Sequence, residues 1–438
     1  MEGKNKHIVI LGAGESGVGA AILAKKQEWN VFVSDAGKIK ADYKTELDNN
    51  QIEWEENTHS TDRIFQAELI VKSPGIPETT DLMRALRNKQ VKIISEIEFA
   101  GYYTRGKSIC VTGSNGKTTT KELVYAVLSS HYKTYTTQGN LNNHIGVPLT
   151  ILSIKKDAQM AVIEMGANHQ KEIEGYCVYT KPTHGIISNC GKAHLEGFGG
   201  EEGVKKGKGE LYSFLRGHNG TAFVYTGYDY LNEMSAGIQN IVPYINGSIQ
   251  SSEPFLTVTA NINDIATTVN SQLVGSYNLP NILCALTIGK YFDVPENKMV
   301  EAIANYAPSN SRSQLITKDT NTIILDAYNA NPSSMKVAIE NFAKLAGQHK
   351  IVMLGAMMEL GEHAAAEHLA LLQLIAGYSF ESVVLVGDDF LAHQHVVPQF
   401  IYFKTTGEAK DWLAKINPTH AQLLIKGSRS MQMESVLS

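Results

Sequence analysis

The chain has 438 residues, about three times the length of a typical domain, so two or three compact domains are expected. Hydrophobic residues make up 43% and charged residues 19%, which is typical of a folded protein and excludes a disordered or fibrous one. The 39 Lys and Arg against 44 Asp and Glu give a net charge of -5, so no overall positive charge favours nucleic acid or an anionic membrane.

The cysteines and the N-terminal residues indicate the compartment. Cys110, Cys177, Cys190 and Cys284 are far apart and form neither a CxxC pair nor a cluster with histidine. This favours a reducing compartment over a disulfide framework or a zinc site. The first apolar run, at 8–11, is too short for a signal peptide or a membrane span. We therefore expect a cytoplasmic protein that is not inserted in a membrane.

The first hundred residues alternate short β-branched segments with helical ones. Strands are predicted at 7–11 and 30–35 with a helix over 18–27 between them, which is a βαβ opening. Further strands are predicted at 69–72 and 91–94. The polar segment that follows predicts the first boundary, so that a first domain covers residues 1–106.

Two more α/β domains are predicted after this boundary, at 107–310 and 311–438, with a break in the pattern around 306–311. The predicted strands of the second domain lie at 108–112, 160–164 and 184–188. Those of the third lie at 322–326, 350–354, 382–386 and 422–425, with helices from Ser333 and Ala364. The fold class is therefore α/β with three domains.

A first glycine cluster, Gly12-Ala-Gly-Glu-Ser-Gly17, lies between a predicted strand and a predicted helix, and Asp35 ends the next strand 18 residues later. Backbone N–H groups at such a turn can hold a diphosphate, and the carboxylate can accept hydrogen bonds from hydroxyl groups. Taken alone, the cluster favours a dinucleotide enzyme such as a nicotinamide-dependent oxidoreductase. The alternative is a tight turn that serves only helix packing.

The second cluster, Thr112-Gly-Ser-Asn-Gly-Lys-Thr-Thr-Thr120, follows a strand and precedes a helix predicted to begin near Lys121. The glycine-rich backbone suits a polyphosphate, Lys117 can neutralise its charge, and Thr118 can ligate Mg²⁺. The spacing is two residues shorter than the usual G-x-x-x-x-G-K-T. The flanking strand and helix argue against an ordinary solvated turn.

These clusters resemble the Mur ligases of peptidoglycan synthesis, which use ATP to join an amino acid or a dipeptide to a UDP-N-acetylmuramoyl precursor. Residues 1 to about 110 resemble the UDP-binding domain of the D-glutamate-adding members, through Gly12–Gly17, Ser34–Asp35, Lys72–Pro77 and Ile94–Glu98. Residues from about 118 resemble the D-alanyl-D-alanine-adding members. The matching segments are Thr120–Glu122, Gly139–Pro148, Glu164–Asn168, Gly191–Gly199, Lys208–Tyr212, Asp326–Pro332, Leu354–Gly361 and Lys426–Arg429. The split resemblance suggests a chimera, natural or constructed.

The resemblance implies a Rossmann-like N-terminal domain, a P-loop-type ATPase central domain and a Rossmann-like C-terminal domain. It also implies ATP and Mg²⁺ as cofactors and a set of catalytic residues, namely Lys117, Glu164, His194 and Lys208. The metal ligands would be Thr118, Glu164, His194 and Lys208, the last of these after carbamylation by CO₂. Without the resemblance, His194 reads as an ordinary histidine and Lys208 as part of a solvated basic stretch.

The resemblance also implies three sets of substrate-binding residues. Those for ATP are Gly113, Ser114, Asn115, Gly116, Lys117, Thr118, Thr119, Asn281, Arg312 and Asp326. Those for the UDP substrate are Gly14, Glu15, Ser16, Gly17, Asp35, Ser73, Pro74, Gly75 and Asn140. Those for the incoming amine are Tyr328, Asn329 and Asn331. By motif alone, Asn281 could be a helix cap, Arg312 part of a surface ion pair and Asp326 a strand-end turn residue.

The expected function is an ATP-dependent amide ligase that activates a UDP-MurNAc-peptide carboxylate as an acyl phosphate and joins it to D-alanyl-D-alanine. The alternatives are D-glutamate addition to UDP-MurNAc-L-alanine and an inactive nucleotide-binding hybrid. A nicotinamide-dependent oxidoreductase would leave the Lys117 loop without a role. We expect a monomer whose partners are these small molecules.

Overall fold

The computed structural model describes residues 3–4, 6–103, 106–309 and 311–438. The chain forms two compact units, one within residues 1–105 that also takes in 177–181, and one made of 106–176 and 182–438. Residues 104, 105 and 310, in the two predicted linkers, lie outside the described residues. The exact domain boundaries, at 106/107 and 310/311, therefore stay predictions. Among the described helices, none has the length and apolar character needed to cross a membrane.

The first unit contains a parallel sheet with helices on both faces. Its strands are β1 (His7–Leu11), β2 (Asn30–Ser34), β3 (Glu53–Glu55), β4 (Leu69–Lys72) and β5 (Lys92–Ser95). Its helices are α1 (Glu15–Lys26), α2 (Ala41–Asn49), α3 (Thr61–Ile64), α4 (Asp81–Asn88) and α5 (Glu96–Gly101). The strand order is β3-β2-β1-β4-β5. Ile8 and Ile10 face one apolar core and Val9 and Leu11 the other, which explains the unbroken apolar run in β1.

The second unit begins with a six-stranded parallel sheet. Its strands are β6 (Lys107–Thr112), β7 (Thr134–Thr136), β8 (Met160–Glu164), β9 (His184–Ile187), β10 (Thr221–Val224) and β11 (Asn240–Pro243). A small antiparallel sheet follows, made of β12 (Gly247–Ser251), β13 (Thr257–Ile262) and β14 (Ile265–Asn270). The helices are α6 (Lys117–Ser129), α7 (Gly146–Ser153), α8 (Glu172–Thr180, of which 177–180 are grouped with the first unit), α9 (Leu195–Phe198), α10 (Glu201–Gly217), α11 (Asp229–Ser235), α12 (Leu279–Tyr291) and α13 (Glu296–Asn305). The large sheet has the order β11-β10-β9-β6-β8-β7, so β6 is central.

The C-terminal part of the second unit has a six-stranded sheet of its own. Its strands are β15 (Gln314–Lys318), β16 (Asn321–Asp326), β17 (Lys350–Gly355), β18 (Ser382–Val386), β19 (Ile401–Phe403) and β20 (Gln422–Lys426). Its helices are α14 (Pro332–Lys344), α15 (Ala364–Ala376), α16 (Asp388–Leu391) and α17 (Thr406–Ile416). The order is β15-β16-β20-β17-β18-β19, and only the edge strand β15 is antiparallel within this described sheet.

The α/β fold class and the predicted strands are confirmed by these elements. One difference concerns α6, which begins at Lys117 and not near Lys121. Gly116 has a φ of 72°, in the left-handed region that glycine adopts without strain, so the chain passes directly from the loop into the helix. The first turn of α6 therefore carries both Lys117 and Thr118.

Candidate active site

The loop between β6 and α6 has the build of a phosphate-binding loop. A Cβ at Gly113, whose φ is +147°, would lie 2.0 Å from Ser188 Oγ, so only glycine fits there. The loop is fastened to the segment after β9, since Ser114 N donates to Asn189 O at 3.0 Å. Residues 114–117 line a cavity of about 730 Å³. The free N–H groups at the start of α6 favour an anion at this end of the cavity.

Lys117 is the first residue of α6, and its half-buried side chain lines the cavity. Loss of water around the ammonium lowers the pKa of Lys117, the Glu164 carboxylate opposes this shift, and Arg312 adds to the lowering. Two cations that repel each other across a cavity are stabilised by a polyanion between them. Lys117 and Arg312 therefore suit a polyphosphate.

Glu164 ends β8 and is completely buried, with 0% exposure. Its Oε1 accepts hydrogen bonds from Thr118 Oγ1 at 2.9 Å and from Asn142 Nδ2 at 2.7 Å. Its Oε2 has no hydrogen-bond donor among the described residues and lies 4.0 Å from Lys121 Nζ. A buried carboxylate oxygen without a donor is costly unless a cation binds it. Glu164, which accepts from the Thr118 hydroxyl with one oxygen and has no donor at the other, fits Mg²⁺, which takes one or two protein oxygens together with phosphate and water.

Lys208, on α10, is 1% exposed, and its Nζ donates to Ala167 O at 3.0 Å. Ala167 follows β8 closely and lines the cavity, so the lysine lies directly behind this wall. Burial lowers the pKa of Lys208 to about 7, and the nearby Lys117 contributes to the shift. An amine with this pKa is largely unprotonated slightly above neutral pH and can then act as a nucleophile.

His194 lines the cavity from the loop before α9. Its Nδ1 contacts Glu359 Oε2 of the C-terminal part, and this contact lowers the pKa of Glu359. Both residues have positive φ, 54° for His194 and 61° for Glu359, so the two backbones are held in an uncommon conformation where they meet. The structure places His194 at the cavity with its Nδ1 already paired.

Asn281 lies in the first turn of α12, and its side chain faces the phosphate loop. Its Oδ1 accepts from Thr120 Oγ1 at 2.9 Å and its Nδ2 donates to Asn278 Oδ1 at 2.8 Å. An ideal Cβ on Gly116 would lie 3.0 Å from Asn281 Oδ1, so the two elements are in close approach. Thr119 and Asn281 both line the cavity.

The C-terminal part supplies the opposite wall of the same cavity. The Arg312 guanidinium lies over the Tyr328 ring, 3.7 Å from its centre, which fixes the direction of the cation. Asp326 ends β16 and pairs with Lys426. Asn329 also lines the cavity, and its backbone oxygen accepts from Lys426 at 3.1 Å.

Asn331 connects this wall to the phosphate loop. Its Oδ1 caps α14 by accepting from Ser334 N at 2.9 Å, and its Nδ2 donates to Asn115 Oδ1 at 2.8 Å. A Cβ added at Gly191, on the same side, would lie 2.9 Å from Ser333 Oγ, so the two segments are in close approach. The three residues predicted for the amine, Tyr328, Asn329 and Asn331, therefore share one cavity with the predicted phosphate residues.

In the first unit, the predicted UDP residues lie where β1, β2 and β4 end. Asp35 is engaged within the glycine turn, since its Oδ2 accepts from Ala13 N at 2.6 Å and its Oδ1 from Gly37 N at 2.8 Å. Gly17 has to be glycine, because a Cβ there would lie 2.0 Å from Gly12 O. The other members at this edge are Gly14, Glu15, Ser16, Ser73, Pro74 and Gly75. Asn140 belongs to the second unit and lines its cavity.

Several residues of the cavity were not predicted from the sequence. They are Asn142, Asn189, Tyr176, Tyr228, Tyr230 and Lys426. Asn189 could have been found, because it follows β9 at the edge of the sheet where ligands bind. Lys426 lies in a segment that carries the family resemblance, and it also ends a strand at such an edge.

A central sheet with a phosphate loop, facing a second α/β wall, defines a nucleotide-dependent enzyme. The family description "MurD N-terminal domain" matches residues 7–82, "Mur ligase middle domain" matches 111–289, and "Mur ligase, glutamate ligase domain" matches 311–429. The three matches follow the predicted domains in order.

Individual relatives of both kinds are similar to this chain. A UDP-N-acetylmuramoyl-tripeptide--D-alanyl-D-alanine ligase of Bacillus subtilis is 31% identical over 346 residues, which are 75% of this chain and 74% of the relative. A UDP-N-acetylmuramoylalanine--D-glutamate ligase of Bacteroides fragilis is 48% identical over 162 residues, 37% of this chain and 36% of the relative. The crystal structure of MurF from Acinetobacter baumannii superposes with a TM-score of 0.72 at 27% identity, covering 87% of this chain and 88% of that one.

The chain belongs to the Mur ligase family. It has a MurD-like N-terminal domain joined to MurF-like middle and C-terminal domains, and it is an ATP-dependent ligase of peptidoglycan precursor synthesis. The predicted family and its split resemblance are confirmed.

Proposed function

We propose that the chain activates the terminal carboxylate of a UDP-MurNAc-peptide with ATP and joins it to D-alanyl-D-alanine. The observation that carries the proposal is the shared cavity, in which the Lys117 loop faces Arg312 and Asn331. Phosphate donor, acyl acceptor and amine can meet only if their residues line one space. The relative named for D-alanyl-D-alanine addition matches 75% of the chain, which supports this choice of amine.

In the first step, a carboxylate oxygen of the acceptor attacks the γ-phosphorus of ATP, and the bond to the bridging oxygen of ADP breaks. The loop N–H groups, Lys117 and Arg312 compensate the negative charge on the phosphate oxygens. Thr118 and Glu164 would hold Mg²⁺, which when bound neutralises charge on the β- and γ-phosphates. The products of this step are an acyl phosphate and ADP.

In the second step, the amine nitrogen attacks the acyl carbon, phosphate leaves and the nitrogen loses a proton. We assign the entry of the amine to Tyr328, Asn329 and Asn331. Water would hydrolyse the acyl phosphate, so the cavity has to be closed around it. The hydrogen bond between Asn331 and Asn115 fastens the C-terminal wall to the phosphate loop and supports this role.

Lys208 is proposed to be carbamylated. Its unprotonated amine would add to CO₂ and release one proton, which leaves a carboxylate-like group on the nitrogen. The pKa of about 7 makes the reactive form available near neutral pH. With His194, this group would form a second metal position, in addition to Thr118 and Glu164.

The nucleoside of ATP is assigned to Asn281 and Asp326. Asn281 would face the adenine, and Asp326 would accept hydrogen bonds from the ribose hydroxyls. The UDP part of the acceptor is assigned to the glycine turn of the first unit with Asp35 and Ser73. Asn140, which lines the cavity of the second unit, is assigned separately to the UDP substrate. The proposal includes the cytoplasm as location and a monomer as the working unit, both as expected from the sequence.

D-Glutamate addition is the second candidate. It is favoured by the 48% identity to a D-glutamate ligase, a likeness that spans 162 residues and is therefore longer than the predicted first domain. Membership of the Mur ligase family excludes the nicotinamide oxidoreductase that the Gly12 turn favours when taken alone.

The test is ADP release together with product mass, measured for each pairing of UDP-MurNAc-L-alanine or UDP-MurNAc-tripeptide with D-glutamate or D-alanyl-D-alanine. We expect ADP release and a new amide product with D-alanyl-D-alanine. The control is the Lys117→Ala variant, which should release no ADP with any pair. A product that contains D-glutamate would transfer the assignment to the second candidate. Absence of ADP release with all four pairs would contradict the proposed choice of acceptor and amine.

A further inference from the structure

Lys426 is a buried lysine in the cavity wall to which the proposed reaction gives no role. It ends β20, and the parallel register places it opposite Asp326 at the end of β16. Its side chain is 2% exposed, and its Nζ lies 2.5 Å from Asp326 Oδ2. Nζ also donates to Asn329 O at 3.1 Å. Because it loses most of its hydration, such an ammonium has to be paired, and here the pairing is built into the register of the sheet.

The second oxygen of the same carboxylate is held independently. Ser313 N donates to Asp326 Oδ1 at 3.0 Å, and Ser313 has a φ of +49°, an uncommon conformation for a residue with a side chain. Ser313 Oγ lies 2.8 Å from Tyr277 OH, which belongs to the central part of the chain. The chain of contacts from Lys426 through Asp326 and Ser313 to Tyr277 therefore links the two walls of the cavity.

Both oxygens of Asp326 can accept further hydrogen bonds. A carboxylate can accept about four hydrogen bonds, and the two protein donors leave a lone pair on each oxygen. The side chain is 19% exposed and lines the cavity, so these lone pairs can face a ligand that carries hydroxyl groups. A bare carboxylate would repel a triphosphate, and the Lys426 charge removes that repulsion.

We propose that Lys426 is a positioning residue for the nucleotide, which acts through Asp326. It holds the carboxylate in the orientation that receives the ribose hydroxyls and cancels its charge beside the polyphosphate. The inference rests on the proposed function, in which Asp326 meets the ribose. Two of the three Nζ donors are already used by Asp326 and Asn329, which favours this indirect role over direct contact with phosphate.

The experiment compares binding of ATP and of 2′,3′-dideoxy-ATP by calorimetry, without turnover. Wild type should bind ATP more tightly than the dideoxy analogue. Lys426→Met should weaken ATP binding about tenfold or more and dideoxy-ATP binding distinctly less, because both ligands lose the charge compensation but only ATP also loses the oriented acceptor for its ribose hydroxyls, so the discrimination falls. The matched control is Lys350→Met. Lys350 is also buried, at 7% exposure, in the adjacent strand β17, but it donates to Ala343 O and Leu345 O at the opposite end of the sheet. The Lys350→Met variant should prefer ATP over dideoxy-ATP as strongly as wild type does.

A second pair of variants covers the case in which Lys426→Met does not fold, because it leaves Asp326 unpaired. Asp326→Ala and the double variant Asp326→Ala/Lys426→Met should bind ATP within about twofold of each other, since the lysine acts only through the carboxylate. If the double variant binds ATP tenfold more weakly than Asp326→Ala, Lys426 contacts the nucleotide directly and the inference is wrong.

Two further results have separate meanings. Equal weakening of ATP and dideoxy-ATP in Lys426→Met would overturn the inference while leaving the ligase assignment intact. Failure of wild type to bind ATP at all would contradict the proposed function itself.

Discussion

The two glycine turns of this chain use the same backbone device in different surroundings. Each follows a central parallel strand and opens a helix, so each presents N–H groups at the carboxyl edge of a sheet. In the first, Asp35 accepts the N–H of Ala13 at 2.6 Å and ties the turn to its own sheet. In the second, Lys117 lines a cavity and Glu164 has a buried oxygen without a donor.

This difference shows that the side chains around a glycine turn decide its chemistry. The first turn offers backbone donors and the Asp35 carboxylate, and among these contacts there is no cation to stabilise a transferred phosphoryl group, which suits the binding of a diphosphate that does not react. The second adds cations and a free carboxylate oxygen, which suit phosphoryl transfer with Mg²⁺. Fold-level kinship to dinucleotide-binding domains therefore does not by itself indicate a redox function.

Lys117→Ala is expected to have the largest effect. The cation is lost where charge develops on the transferred phosphoryl group, and one such group is commonly worth about 3–4 kcal/mol in the transition state. Turnover measured by ADP release should fall by more than about a hundredfold, with an unchanged circular dichroism spectrum. The exposed Lys336→Ala is the control and should keep full activity. Retention of more than roughly a tenth of wild-type turnover contradicts the assigned role.

Lys208→Ala should have the next largest effect on turnover. Without a carbamate the second metal position loses its carboxylate-like ligand, so we expect turnover to fall by about tenfold to a hundredfold and to be partly restored by acetate or formate. Wild-type activity should fall when bicarbonate is removed and return when it is added. Activity that is independent of bicarbonate, in the absence of any rescue, would exclude carbamylation.

Asn331→Ala should give a smaller and more selective effect. The substitution removes the cap of α14 and leaves Asn115 Oδ1 without its donor, which typically costs about 1–3 kcal/mol. We expect a KM for the amine raised about tenfold, with little change in affinity for the UDP substrate. If the KM for ATP rises and that for the amine does not, the residue serves the phosphate loop alone.

His184 gives the smallest predicted effect, on stability. It is buried at the start of β9 among Phe223, Tyr291 and Phe292, and burial lowers its pKa to about 4, helped by Lys107. The unfolded state, with a pKa near 6.5, binds the proton first as the pH falls, so stability is lost between about pH 6.5 and 4. Between pH 7 and pH 5 the loss should be on the order of 2 kcal/mol.

The check on this prediction is urea unfolding at pH 7 and pH 5 for wild type and His184→Phe. The variant should lose less stability over this interval, because it has no group to protonate there. The exposed His218→Gln should behave as wild type. Equal losses in wild type and His184→Phe would show that other groups cause the pH dependence.

The parts of the fold that follow from local pattern were predictable. Strands such as β1 and β8 are continuous apolar runs, and the loop residues 113–118 follow directly from glycine spacing. The small sheet was missed because β12 and β14 are rich in Ser, Thr and Asn and show little alternation of apolar residues. The start of α6 was placed too late because the φ of Gly116 cannot be read from the sequence.

Contacts between distant residues could not be predicted. Lys426 and Asp326 are 100 positions apart, and only the order of strands in the sheet makes them neighbours. His194 and Glu359 are 165 apart and meet through two loops. The roles of the candidate site residues stay predictions, since their positions around the cavity support but do not test them.

The most direct test of the difference between the two glycine turns is a crossed titration. Affinities for the UDP substrate and for ATP should be measured by calorimetry on wild type, Asp35→Ala and Lys117→Ala. We expect Asp35→Ala to weaken UDP-substrate binding about tenfold and to leave ATP binding unchanged. Lys117→Ala should weaken ATP binding about tenfold and leave UDP-substrate binding unchanged. Unchanged UDP-substrate affinity in Asp35→Ala, or an equal weakening of its ATP binding, would contradict the assignment of UDP to the first turn and of ATP to the second.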